Sequence, residues 1–321
     1  MKHSFSQYRV FLFLVVSILA IFIVRTALAA RGNPPRFNDL FTAITLVGSL
    51  VVWIAGHRSL QRSDWAVAIV TGAVVSVTMA FATLFSPYPF FGIVRDNLEQ
   101  AVVRGLSATV AMLGGLVIMR QGGPVQVWAA TGEWRKLGCN LLMALAIGTP
   151  LALVNVFVLQ MSQGQPIDWQ NPLTAVRDAL QPAIMEEVVY RLAFLSLLWL
   201  ALRESLPKQA PWISALLAML VHNYMHYDEL FVQAPLVAFG MGLAVLVLWG
   251  LPLTYLILRR GLEPAIAFHW IQDVARFISR GLRRLGGLRL FIRLPARLLC
   301  IIPGLLEVGA LGCFNRRLRG L

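Results

Sequence analysis

The sequence predicts an all-α fold, a polytopic transmembrane helix bundle of about eight to nine spans with a basic amphipathic C-terminal tail. Three observations carry that reading. Only 13% of the 321 residues are charged and 58% are hydrophobic, whereas an ordinary soluble domain carries roughly 25% charged residues. Mean hydropathy is +0.71. The apolar residues also fall into runs long enough to span a bilayer, bounded by Pro, Gly or charge. Too little polar material remains to coat a water-soluble globule, which excludes a soluble enzyme, a disordered tail protein and a coiled coil.

The runs lie at 10–30, 40–56, 65–85, 102–119, 138–161, 180–202, 210–226, 234–258 and 262–279. The first follows Lys2 and Arg9 and ends near Ala27-Leu28-Ala29, so it also has the outline of a signal peptide. Arg25 interrupts the approach to that cleavage site, and the run is read as a retained span. The second follows Asn33-Pro34-Pro35, the third ends at Pro87-Tyr88-Pro89 and the fourth at Gly122-Gly123-Pro124. Each of these is turn chemistry. After the fifth run, Asn171-Pro172 predicts an N-cap with Pro at the first helical position, and a short helix leading into the sixth run at Pro182. The seventh run is short and holds His222 and His226, and the ninth holds His269, Asp273 and Arg276. Both are kept as spans, because ionisable groups inside a membrane helix usually face the protein interior or a cavity.

With the N-terminus cytoplasmic, the inner loops hold eleven Lys/Arg and the outer loops four (Arg31, Arg36, Arg95 and Arg177). That bias favours the N-in orientation and a bacterial inner membrane. The net charge of +13 does not indicate nucleic acid, because +9 of it lies between Arg276 and Arg319, ten Arg against Glu307. Mixed with Leu, Ile and Phe, this segment reads as a surface for anionic lipid. Cys139, Cys300 and Cys313 have no regular spacing and read as apolar fillers. Three regions result: N-terminal transmembrane helices over 1–170 serving as scaffold or gate, a chemistry-bearing core over 171–280, and a basic tail over 281–321.

The chemistry concentrates in the core. Glu186 and Glu187 are adjacent carboxylates in an apolar helix, which is costly unless they are partnered. Glu187 and Arg191 stand at i,i+4 and can pair. Glu186 lies about 100° around the helix with no local partner, the position of a general base for water. A salt bridge that merely packs helices is the plain alternative. His222 and His226 are also i,i+4, yet Asn223 stands where a zinc-protease HExxH helix would carry Glu. His226 abuts Tyr227-Asp228-Glu229 and reads as interfacial, which leaves His222 for chemistry. His269 and Asp273 share one face of the ninth run. Glu186 lies near the outer start of its span and His222 near the outer end of its own. Asp273 lies about 16 Å along a span that starts inside. All three sets therefore fall in the outer half of the membrane.

These residues resemble the CPBP intramembrane proteases, a family that includes the CAAX prenyl endopeptidases and bacteriocin-immunity relatives. The matching positions are Glu186-Glu187-xxx-Arg191, then His222, then the lead-in Gly261-Leu262-Glu263-Pro264-Ala265-Ile266-Ala267-Phe268 before His269-xxx-Asp273. The resemblance covers roughly 172–275. Three positions depart from the family pattern: Ala218 in place of Phe, Leu192 in place of a small residue, and Asp273 in place of Asn. An amide can donate to an oxyanion and an ionised carboxylate cannot, so Asp273 suits a metal ligand or a protonated donor better. The resemblance implies hydrolysis of a peptide bond in a membrane-anchored protein or peptide. Glu186 would activate water, assisted by His222, and Glu187 with Arg191 would hold the geometry. His269 and Asp273 would bind a metal or stabilise the intermediate. The same set, His222, His269, Asp273 and Glu186, would satisfy zinc; the metal-independent reading is favoured slightly. The rival readings are an immunity-type binding protein that cleaves nothing and a proton-coupled transporter, although no inverted repeat is visible.

Overall fold

The computed structural model describes residues 2–30, 37–84, 90–94, 96–163 and 167–279. The basic tail over 281–321, with its expected contact to anionic lipid, lies outside the described residues. Each predicted run falls on a helix. The first five are α1 (Lys2–Ala30), α2 (Phe37–Gly56), α3 (Arg62–Ala80), α4 (Asn97–Arg120) and, beyond the short α5 (Trp128–Thr131), α6 (Trp134–Gln163). Then follow α7 (Pro172–Asp178), α8 (Leu180–Glu186) and α9 (Leu195–Leu202), the last two joined by a π-helical stretch, Glu187–Phe194. The chain ends in α10 (Ala210–Tyr224), α11 (Asp228–Gln233), α12 (Pro235–Val245), α13 (Leu251–Arg260) and α14 (Leu262–Ser279). A second π-helical stretch, Leu246–Gly250, joins α12 to α13.

Among the described residues, six helices are long and apolar enough to cross a membrane: Val10–Leu28, Asp39–Ser59, Arg62–Ala80, Asn97–Arg120, Trp134–Phe157 and Pro235–Arg260. The other three predicted spans are the polar ones. α10 has 15 residues, α14 carries Glu263, Asp273 and Arg276, and the helix over 180–202 carries Glu186, Glu187 and Arg191. Large apolar side chains, among them Leu12, Val47, Val70, Leu106, Leu153 and Leu248, cover the outside of the bundle. Such a surface suits hydrocarbon, where helices satisfy their own backbone groups.

α4 is the axis of the bundle. Every residue from Ala111 to Met119 is buried, and α2, α3 and the π-helical stretch pack around it. The α3–α4 crossing is close because glycines meet there. A Cβ on Gly72 would lie 2.7 Å from the Gly105 carbonyl oxygen, and one on Gly105 would lie 2.9 Å from that of Gly72. Small residues at the crossing let backbones approach and gain dispersion contact where lipid removes any hydrophobic drive between helices.

The two ends of the bundle differ. At the basic end, buried Asp64 accepts Arg120 Nε at 3.0 Å and Nη2 at 2.8 Å and caps α3 through Gln61 N at 2.7 Å. The α13–α14 turn docks there too, with Leu262 N donating to Gln126 O at 2.9 Å and Ala129 N to Glu263 at 2.8 Å. Gly261 makes that turn at φ +97°, a conformation that L side chains rarely adopt. Pro264 falls in the first turn of α14, where its missing N–H leaves no helical bond unmade. At the opposite end, Asn171 caps α7 as expected, accepting from Leu173 N at 2.9 Å and Thr174 N at 3.3 Å. Asp178 Oδ2 takes Thr83 N and Leu84 N at 2.7 and 2.8 Å. Gln170 N and Trp270 Nε1 tie this end to α14 through Ile278 O and Val176 O at 2.9 and 3.0 Å.

Candidate active site

Toward this second end, Glu186 at the last position of α8, His222 near the end of α10, and His269 and Asp273 in the middle of α14 converge. The helix over 180–202 widens to i→i+5 bonding at Glu187, directly after Glu186. Such wide turns recur at functional positions, because they re-aim side chains without ending the helix. Here Glu187 and Arg191 turn inward together, with Arg191 Nη1 donating to Glu187 Oε1 at 2.6 Å. Glu187 is fully buried, and the side chain of Arg191 is only 4% exposed.

From this pair two imidazoles are fixed. Arg191 Nη2 lies 3.0 Å from His222 Nδ1, and His222 Nε2 lies 2.7 Å from Glu186 Oε2. A guanidinium has only donors, so Nδ1 must accept, and a neutral imidazole then carries its proton on Nε2 and donates it to Glu186. Arg191 Nη2 also reaches Met219 Sδ at 3.2 Å. The second imidazole, His269, has its Nδ1 2.7 Å from Glu187 Oε1, so Nδ1–H donates to the carboxylate. Its Nε2 faces Glu186 Oε2 and Asp273 Oδ2, each at 3.6 Å, too long for a hydrogen bond. Asp273 Oδ1 is held by Arg276 Nη2 at 2.9 Å, while Oδ2 is buried without a hydrogen-bond partner.

Glu186, Glu187, Arg191, His222, His269 and Asp273 thus form one connected cluster. Glu186, alone on its own helix as its position around the helix indicates, finds its partner across the bundle on α10. It is also the carboxylate that reaches solvent, at 26% side-chain exposure against 0% for Glu187. The orphan Oδ2 of Asp273 and Nε2 of His269 border the same spot beside Glu186, where a water would find acceptors for its protons.

Three neighbours carried weaker signals. Tyr190 stacks on His222 at 5.1 Å and 23°, and its hydroxyl meets Thr42 Oγ1 on α2 at 2.8 Å. No local pattern marks that contact. Arg276 had been noted only as a charge in the ninth run. His226, read as interfacial, is exposed, but its ring stands edge-on to His222 at 5.2 Å. Donor atoms of Glu186, His222 and His226 lie within 4.8 Å of one another. The compact donor set among the described residues therefore includes His226, where the reading from sequence had drawn on His269 and Asp273. The i,i+4 spacing of His222 and His226 was the available signal.

Residues 168–275, about a third of the chain, match the family model described as type II CAAX prenyl endopeptidase Rce1-like. The match covers the segment in which the sequence motifs resemble the CPBP proteases, and it implies a protease. With the apolar helices, it indicates an integral membrane protein. No curated protein and no solved structure matches the chain.

Proposed function

We propose that the chain is an intramembrane endopeptidase in which Glu186 activates water against a peptide bond of a membrane-anchored or exported precursor. The observation that carries this is the contrast between the two glutamates. Glu187 is buried and committed to Arg191 and His269, whereas Glu186 reaches solvent and is held by one oxygen only. A carboxylate oriented by one neutral donor, with room beside it for water, is what a general base needs. His222 Nε2–H orients Glu186. His269, as an imidazolium whose Nδ1–H is held by Glu187, presents Nε2–H to the tetrahedral intermediate from the far side of the same spot, and Asp273 supports that charge. The proton taken from water by Glu186 goes to the leaving amine as the C–N bond breaks.

His222 is a poor zinc ligand in this arrangement, and the metal-independent reading is kept. A metal-ligating histidine donates its second ring N–H to an acceptor, but the second nitrogen of His222 faces Arg191, which can only donate. A metal on Nε2 would need both nitrogens deprotonated beside a guanidinium. Proteolysis is therefore expected to survive EDTA and 1,10-phenanthroline, measured on purified protein in detergent; loss that zinc restores would reverse this reading.

To test the activity, membranes from cells with the wild-type chain and with Glu186→Ala are compared by terminal mass spectrometry. A new terminus on an anchored protein, present only with the wild type, is the expected result. Identical termini in both, with any phenotype retained, would identify a binding protein of the immunity type. The Lys/Arg bias supports a topology with the basic end in the cytoplasm and the cluster in the outer half of the membrane. A reporter fused after Lys208 is expected to be cytoplasmic, and an external signal would invert the orientation.

A further inference from the structure

Arg25 is the lone charge between Val10 and Ala30 in α1. Phe11, Leu12, Val16, Leu19 and Ile23 on this helix are exposed, yet Arg25 is 1% exposed. A charge inside an apolar span is costly and marks a specific partner. Its Nε donates to the backbone carbonyl of Tyr224 at 2.8 Å, and its guanidinium lies over the Phe231 ring at 5.0 Å. One turn earlier, Phe22 meets Phe239 edge-on at 5.2 Å. Tyr224 in turn stacks on Phe239 at 5.8 Å and stands edge-on to Phe231 at 5.4 Å. The second half of α1 is thus plugged into an aromatic box made by α10, α11 and α12.

Tyr224 is the last residue of α10, so its carbonyl is among the four at the helix end without an intrahelical donor. A cation there is also favoured by the helix dipole. The carbonyl stands two residues from His222 and two from His226. The N–H of Met225, next in the chain, bonds back to His222 O and Asn223 O.

We infer that Arg25 is a positioning residue of the site: through the Tyr224 carbonyl it fixes the last turn of α10, and so holds His222 against Glu186. α1 is then a working part of the site, and the one charge in its apolar run has a task. The consequence for catalysis rests on the proposed protease function, but the tether itself does not, and the test reads the tether.

Histidine carbethoxylation by diethyl pyrocarbonate, followed residue by residue in the full chain in detergent, reports how well each ring is held. In the wild type, exposed His226 should react and buried His222 should be protected. In Arg25→Met, modification of His222 is expected to rise about tenfold, the effect of losing one hydrogen bond from a charged donor. His269, on α14 and not attached to α10, serves as the internal control and should stay within about twofold, because the opening is local. Arg25→Lys, which keeps a donor and a charge, should restore most of the protection. Unchanged protection of His222 overturns the inference. So does a parallel rise at His222 and His269, which would mark a general structural role. Should Arg25→Met fail to insert, Phe231→Leu removes the ring beneath the guanidinium and carries the same comparison: a rise at His222 alone supports the tether and no rise overturns it.

Discussion

Replacement of Glu186 by Gln is expected to lower kcat by roughly 10²–10⁴-fold, the range for removing a general base, while the chain still folds and inserts. Gln has the same shape, and its carbonyl oxygen can still accept His222 Nε2–H, which now lies 2.7 Å from Glu186 Oε2. What disappears is the basic oxygen that takes the proton from water. Because the side chain is 26% exposed, the change opens no cavity and strands no buried charge. The loss should therefore appear in kcat with KM little changed, the signature of an interaction made in the transition state. Glu186→Asp keeps the charge but draws it back by one methylene, beyond reach of His222, and should also be impaired. Single-turnover cleavage of the precursor by folded variants, checked by thermal transitions, measures both. A Glu186→Gln variant with near wild-type turnover would remove Glu186 from the chemistry.

Much of this arrangement was legible in the residues. Nine apolar runs became nine helical segments among the described residues, because apolar length is imposed by the bilayer and needs no tertiary information. The Glu187–Arg191 pair and the shared face of His269 and Asp273 were legible because helical spacing fixes which side chains lie together. That the three motifs meet was legible because each one's distance from its helix end can be counted at a fixed rise per residue. What escaped was whatever depends on a neighbour far along the chain. The widening at Glu187–Phe194 has no residue signature, since the i→i+5 pattern is chosen by packing against α4, α10 and α14. The donation from His222 to Glu186 joins residues 36 apart, and that from Arg25 to Tyr224 joins residues 199 apart. From sequence, Arg25 was only a charge in the wrong place, and the stacking of Tyr190 on His222 left no trace.

The second large effect is expected at Glu187, and it is one of stability before activity. Its Oε1 accepts from both Arg191 Nη1 at 2.6 Å and His269 Nδ1 at 2.7 Å, in a fully buried position. Glu187→Met strands a guanidinium and an imidazole inside the bundle, and breaking a buried pair from one side typically costs about 3–5 kcal/mol. Arg191→Met alone should cost less, because Glu187 keeps His269 as a donor. Replacing both, Glu187→Met with Arg191→Met, removes the stranded charge and should recover most of the stability, since apolar packing often matches a buried ion pair. Activity should not return with it. Without Glu187, His269 Nδ1 has no acceptor, and without Arg191, His222 Nδ1 has no donor to keep the proton on the nitrogen that faces Glu186. Unfolding free energies in mixed micelles for the two singles and the double, set beside turnover of each, close the cycle. A double variant as unstable as Glu187→Met would mean the pair is not what the site rests on. A double variant that is both stable and active would mean that the tautomers it sets play no part in the chemistry.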